Sequence, residues 1–110
     1  MDWLKEISAA VTICDKQGTI VYMNEKSAQV FNSDGGKDLL GSSLFDCHPE
    51  PALTKLKALL SDGSTNVYTI EKNGKKKMIY QTPWRNGNIV AGLVEISFEL
   101  PDEISHFVRM

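Results

Sequence analysis

Cysteine and histidine are scarce in this sequence, with two of each, and no apolar run reaches bilayer length. A disulfide framework needs paired cysteines. Cys14 and Cys47 lie far apart in a chain large enough to fold without a staple, so both are expected as reduced thiols. Zinc spacing is missing as well. Cys47 and His48 are adjacent, and only Cys14 and His106 remain to join them, so no metal site is expected. Residues Met1 to Ser8 make neither a basic leader nor an apolar segment, which points to a cytoplasmic address and no membrane partner. The net charge of -2 lacks the basic excess that would hold nucleic acid over a broad surface.

Catalytic signatures are absent too. There is no Gly-x-Ser-x-Gly, phosphate loop or dinucleotide fingerprint, and Gly35-Gly36 reads as a turn. Nucleophilic catalysis needs a base beside Ser or Cys, and His106 sits in the tail, where a solvated role is expected. Asp46 and Glu50 suit an N-terminal cap and first-turn charge better than an acid/base pair. A non-enzymatic role is the expectation.

What the sequence does contain is an ordinary globular composition. Its 110 residues are 42% hydrophobic and 24% charged, enough for one domain around one core. Trp3, Leu4 and Ile7 stand at helical spacing and predict a short amphipathic helix over residues 1–9, stable only when docked on the body or on a second copy. Ala10 to Cys14 and Thr19 to Met23 are β-branched runs joined by Asp15-Lys16-Gln17-Gly18, a hairpin. Asn24 suits the N-cap of a short helix through Phe31, with Ala28 and Phe31 on one face. Turn formers from Asn32 to Gly36, and a single helical turn ended by Gly41, lead into an irregular stretch to His48. Pro49-Glu50-Pro51 then opens a longer helix that turns Leu53, Leu56, Leu59 and Leu60 to one side and stops near Asp62-Gly63.

Three strands follow, over residues 66–71, 75–84 and 88–98, with Asn73-Gly74 and Asn86-Gly87 as turns. In the last strand, Val90, Val94, Ile96 and Phe98 are expected on the core face, and Glu95, Ser97 and Glu99 in water. In the strand before it, Met78, Tyr80, Thr82 and Trp84 alternate on one face. With Tyr68 and Ile70 they make either ordinary core or the wall of a pocket, with tyrosine hydroxyls to orient a polar group. The basic cluster Lys72 to Lys77 reads as a solvated hairpin tip. This order predicts an α+β fold, a five-stranded antiparallel sheet with short helices packed on one face.

That order, with Asp15-x-x-Gly18-x-Ile20-x-x-x-Asn24 leading to Ala28 and Phe31, resembles the opening of a Per-Arnt-Sim (PAS) domain. Leu39-Leu40-Gly41-Ser42-Ser43-Leu44-Phe45 resembles the family's leucine-glycine step into its central helices, and Gly92-Leu93-Val94-Glu95-Ile96 its closing strand. Cys47-His48-Pro49 is similar to a segment of a bacterial subgroup. The resemblance divides the chain into the helix at 1–9, a PAS-like sensor domain at 10–100 and a tail at 101–110. PAS domains often close on Asp-Ile-Thr before an output domain, whereas the comparable place here reads Glu99-Leu100-Pro101. Either signal leaves through a partner or a dimer, or the effector belongs to a longer chain.

The resemblance implies a sensory or regulatory domain that binds a small ligand between sheet and helices. Its pocket candidates are His48, Cys47, Phe45, Leu56, Tyr68 and Tyr80. Family members hold haem, flavin or small organic molecules, but binding belongs to the site and not to the fold. Axial haem ligation through His48 is weighed and not favoured against a helix-capping or surface role beside Pro49. Flavin photochemistry is not expected, because Cys47 lacks the Gly-x-Asn-Cys-Arg-Phe-Leu context of the light-sensing subgroup. The alternative is a ligand-free interaction module, dimerising through Trp3, Leu4, Ile7 or an exposed sheet face. A small enzyme with a cryptic acid/base pair is the remaining reading.

Overall fold

The computed structural model describes residues 1–110, the side chain of Cys47 excepted. Strands β1 (Ala10–Asp15) and β2 (Ile20–Met23) precede helix α1 (Glu25–Val30). Three single 3-10 turns follow at Asn32–Asp34, Gly36–Leu39 and Leu44–Cys47, then helix α2 (Ala52–Asp62). Strands β3 (Asn66–Lys72), β4 (Lys75–Asn86) and β5 (Ile89–Glu99) complete one antiparallel sheet in the order β2-β1-β5-β4-β3. The expected five-stranded sheet with helices on one face is therefore present.

Local chemistry explains the first turn of chain. Asp15 Oδ1 accepts from the backbone N–H of Gln17 and of Thr19, and Gly18 closes the link at φ +86°. A side chain at Gly18 would also meet the Phe45 ring, whose atoms lie 2.7 Å from the Cβ position. Asn24 then joins three segments. Its Oδ1 accepts from Val11 N and from Ser27 N, and its Nδ2 donates to the carbonyls of Leu4 and Ala9. The expected N-cap is there, and the same side chain also holds β1 and the N-terminal segment.

The N-terminal segment itself departs from expectation. Residues 3–9 run through turns and bends instead of a helix, with Trp3 exposed and Leu4 and Ile7 half-buried. So short a helix nucleates poorly. Here the carbonyls of Leu4 and Ala9 go to Asn24, and that of Lys5 accepts from Glu25 N.

Helix α2 places Leu56, Leu59 and Leu60 in the core, with Leu53 half-buried, and ends where Gly63 takes φ +71° and donates to Leu59 O. Its leucines pack against Cys14, Ile20, Met23, Leu44 and Leu93, and each fully buried one is worth roughly 2 kcal/mol of apolar burial. Burial pushes the Cys14 thiol up to about 11, which keeps it protonated, as expected of a reduced core cysteine.

The phase of β5 is the reverse of the expected one. Leu93, Glu95 and Ser97 face the helices and are buried, whereas Val94 and Ile96 are half-buried and Phe98 exposed on the opposite face. Pairing fixes this. Leu93 lies opposite Cys14 in β1, and Glu95 lies between Thr12 of β1 and Gln81 of β4. Strand β4 follows suit, with Ile79 and Gln81 inward and Met78, Tyr80, Thr82 and Trp84 on the outer face. The outer face carries many apolar groups, so hydrophobicity alone chose the wrong side.

Candidate functional site

The inner face of the sheet has two halves. One half is the leucine core. Over the other half the helices stand off, leaving a partly enclosed cavity of about 520 Å³ between Phe31 at the C-terminal end of α1, the His48–Ala52 stretch, and inner residues of β1, β3, β4 and β5. Apolar surface comes from Ala10, Phe31, Ile70 and Ile79. A second hollow of about 370 Å³ shares Ala52 and Tyr68 with it. Another, of about 550 Å³, lies between the β3–β4 hairpin tip and Leu100–Asp102, and is walled chiefly by exposed polar side chains such as Lys75, Lys76 and Glu99. The cavity between sheet and helices alone of these three contains a buried carboxylate facing a histidine, and it is the candidate site.

A chain of side-chain hydrogen bonds crosses β3, β4 and β5 at its base, with His48 and Glu95 lining this cavity and Asn66 and Gln81 the adjoining hollow. Asn66 Nδ2 donates to Gln81 Oε1 at 3.0 Å, and Gln81 Nε2 donates to Glu95 Oε2 at 2.8 Å. The same Glu95 oxygen meets His48 Nε2 at 3.2 Å. His48 Nδ1 lies 3.0 Å from the Leu44 carbonyl, which can only accept, so Nδ1 carries a proton. The side chains of His48 and Glu95 are only 10% and 9% exposed, so the pair is desolvated.

Burial pulls the His48 pKa down, but hydrogen bonding and charge from Glu95, with help from Leu44 O, leave it raised overall. Burial alone would lift Glu95. The bonds from His48 and Gln81 and the imidazolium charge outweigh that and leave it lowered. The two directions agree on an imidazolium–carboxylate pair. Tyr68 stands beside it, its phenol pushed up by burial and by the Glu95 charge.

Of the candidates read from the sequence, His48 and Tyr68 line this cavity. His48 is neither a surface residue nor a free ligand. Both ring nitrogens are hydrogen-bonded, so the imidazole does not fit axial haem ligation without leaving Glu95. Leu56 is wholly inside the leucine core, and Phe45 packs at its edge over Gly18, with Lys57 Nζ 5.4 Å from its ring centre. Tyr80 lies on the outer face, one residue out of phase with the cavity. The Cys47 side chain lies outside the described residues. Among the described residues no group of three or more His, Cys, Asp or Glu side chains is placed to hold a metal ion.

Glu95 and Gln81 are the site residues the sequence reading missed. Glu95 looked like a solvent residue because it alternates with Val94 and Ile96. The available signal was Leu93, two residues before it and therefore on the same face.

A family model described as PAS domain matches residues 8–97. No curated protein matches the chain. Among solved structures, the PAS domain of histidine kinase ThkA superposes with a TM-score of 0.69 at 18% identity, covering 84% of this chain and 99% of that one. A sensory box sensor histidine kinase from Vibrio cholerae gives 0.67 at 17% identity, covering 89% of this chain and 86% of that one. The PAS domain of a protein from Colwellia psychrerythraea gives 0.65 at 16% identity, covering 88% and 90%. At such identities the likeness is one of fold.

Proposed function

Because this chain belongs to the PAS domain family and is a sensory or signalling domain by that membership, we propose that it binds a small molecule between sheet and helices and acts without catalysis. The observation that carries this reading is the cavity of about 520 Å³, of a size that suits small ligands, walled by apolar side chains over one hydrogen-bonded polar floor. Occupation has a route outward. His48 is tied to the Leu44 carbonyl, and the turn at Leu44 is joined to the β1–β2 link, since Leu44 N donates to Gly18 O at 2.7 Å. A ligand that favours one placement of His48 shifts the population of that turn.

Native mass spectrometry after incubation with a metabolite extract tests the reading. The expected result is a discrete added mass, lost on mild activation. A spectrum unchanged by any extract, in mass and in oligomeric state, would rule the sensor reading out.

A second reading rests on the outer sheet face, where Val67, Tyr80 and Phe98 are 54%, 38% and 40% exposed, with Trp3 63% exposed on the N-terminal segment. Exposed apolar groups in such number suit contact with a second copy or a signalling partner. The two readings are compatible, the cavity receiving the signal and the outer face passing it on. No helix is long and apolar enough to cross a membrane, and a cytoplasmic setting is the location we propose.

A further inference from the structure

We infer that the cavity selects a compact, largely apolar molecule without positive charge that donates one N–H hydrogen bond to Glu95 Oε1. This rests on the ligand-binding reading and adds the chemical class of the ligand. Both donors that reach Glu95, from His48 and Gln81, go to Oε2. Oε1 receives no hydrogen bond from any described residue and keeps contact with solvent, the one open acceptor of a carboxylate otherwise more than nine-tenths buried at the wall of the cavity. A ligand that fills the cavity displaces the water such an oxygen binds, and the oxygen then needs a donor from the ligand. A ligand N–H placed there replaces that water, whereas a ligand carbonyl or ether would meet acceptor against acceptor.

Charge narrows the class further. The His48 imidazolium already balances Glu95, so a second cation has no uncompensated charge to meet. Lys72, Lys77 and Asp34 also line the cavity, two cations to one carboxylate, and Glu99 opposite Lys77 in the register is paired with Lys75. Lys77 lies four residues from Gln81 along β4, about 13 Å at strand spacing. An anionic substituent at that distance from the N–H is accepted and a cationic one is opposed. Between the two ends, Ile70, Ile79 and Phe31 require an apolar body.

The test uses three probes that differ in hydrogen bonding at similar size: indole, which donates; 1-methylindole, which cannot; and acetophenone, which only accepts. Binding is read from amide chemical-shift changes at Tyr68 and Ile79 on titration. Indole is expected to bind about tenfold more tightly than 1-methylindole, the effect of a hydrogen bond to a charged group. Glu95→Gln supplies the reversal. Its carbonyl takes the donors of His48 and Gln81 and its amide N–H₂ turns to the cavity, so the preference for indole is lost and acetophenone binding strengthens.

Equal affinities for indole and 1-methylindole in the wild-type protein overturn the inference and leave the pocket reading standing. If none of the three probes moves the Tyr68 and Ile79 amides, both fall. The wild-type comparison decides the matter even where the variant fails to fold.

Discussion

Asn24 and the His48–Glu95 pair carry more of the structure than their size suggests. Asn24 makes all four hydrogen bonds its amide allows, and it is 1% exposed. Replacing it by Ala leaves Val11 N and the Leu4 and Ala9 carbonyls without their partner, and removes the cap of α1. A loss of about 3 kcal/mol in urea unfolding is expected, and Asn24→Asp should restore little, because its second oxygen would face two carbonyls.

The pair at the cavity floor adds a pH dependence. His48 is raised above 6.5, so its contribution is fully present below pH 6.5 and is lost as pH rises through the folded value. Glu95 is lowered below 4.5, so its contribution is present above pH 4.5 and is lost as pH falls through the folded value. The pair therefore stabilises most between those limits. Unfolding free energy of the wild type should decline above pH 6.5, and His48→Gln should flatten that decline. Near pH 6, His48→Ala leaves Glu95 buried with Gln81 as its remaining donor, and a loss of about 3 kcal/mol is expected by denaturant titration.

At the scale of elements, β5 decides the site. It is the central strand, paired with β1 on one side and β4 on the other, and its phase determines which residues of both neighbours face the helices. A close approach beside Leu93 holds it there. Trp84 Nε1 donates to Cys14 O at 3.0 Å across the position of Gly92, where a Cβ would lie 1.9 Å from that carbonyl oxygen and 2.4 Å from the indole nitrogen. Gly92→Ala is expected to destabilise the fold by roughly 3 kcal/mol, with a blue-shift or red-shift of Trp84 fluorescence reporting the displaced indole. An unchanged midpoint and spectrum would refute the packing account. The hairpins were legible in advance at Asn73-Gly74, where both residues take positive φ. The other was read one residue early, because Asn86 pairs with Ile89 and the turn falls on Gly87-Asn88.

For the whole molecule, the two faces of one sheet differ, with the cavity on the inner side and exposed apolar side chains such as Tyr80 and Phe98 on the outer. Association through the outer face predicts that Phe98→Glu combined with Tyr80→Glu lowers the sedimentation coefficient from that of a dimer to that of a monomer. The cavity should be unaffected, since both residues lie on the far side of the sheet. Unchanged sedimentation of a dimeric wild type would move the interface elsewhere.

Some of this was written in the sequence. Asp15 and Gly18 are bound to make a turn, Asn24 to cap, and Leu56, Leu59 and Leu60 to share a helix face, because each follows from a few neighbouring residues. With the order of strands and helices they were enough for the fold. The site was not local in that sense. His48 and Glu95 are 47 residues apart, and Gln81 and Asn66 come from two further strands. Whether Glu95 faced water or the cavity turned on a one-residue phase that two apolar faces left ambiguous, and the pairing of β5 between β1 and β4 settled it. The N-terminal helix failed for the same reason in reverse, since its period was right but Asn24 and Glu25 had claimed its carbonyls. Periodicity fixed which elements form; long-range pairing alone decided which polar groups were buried together.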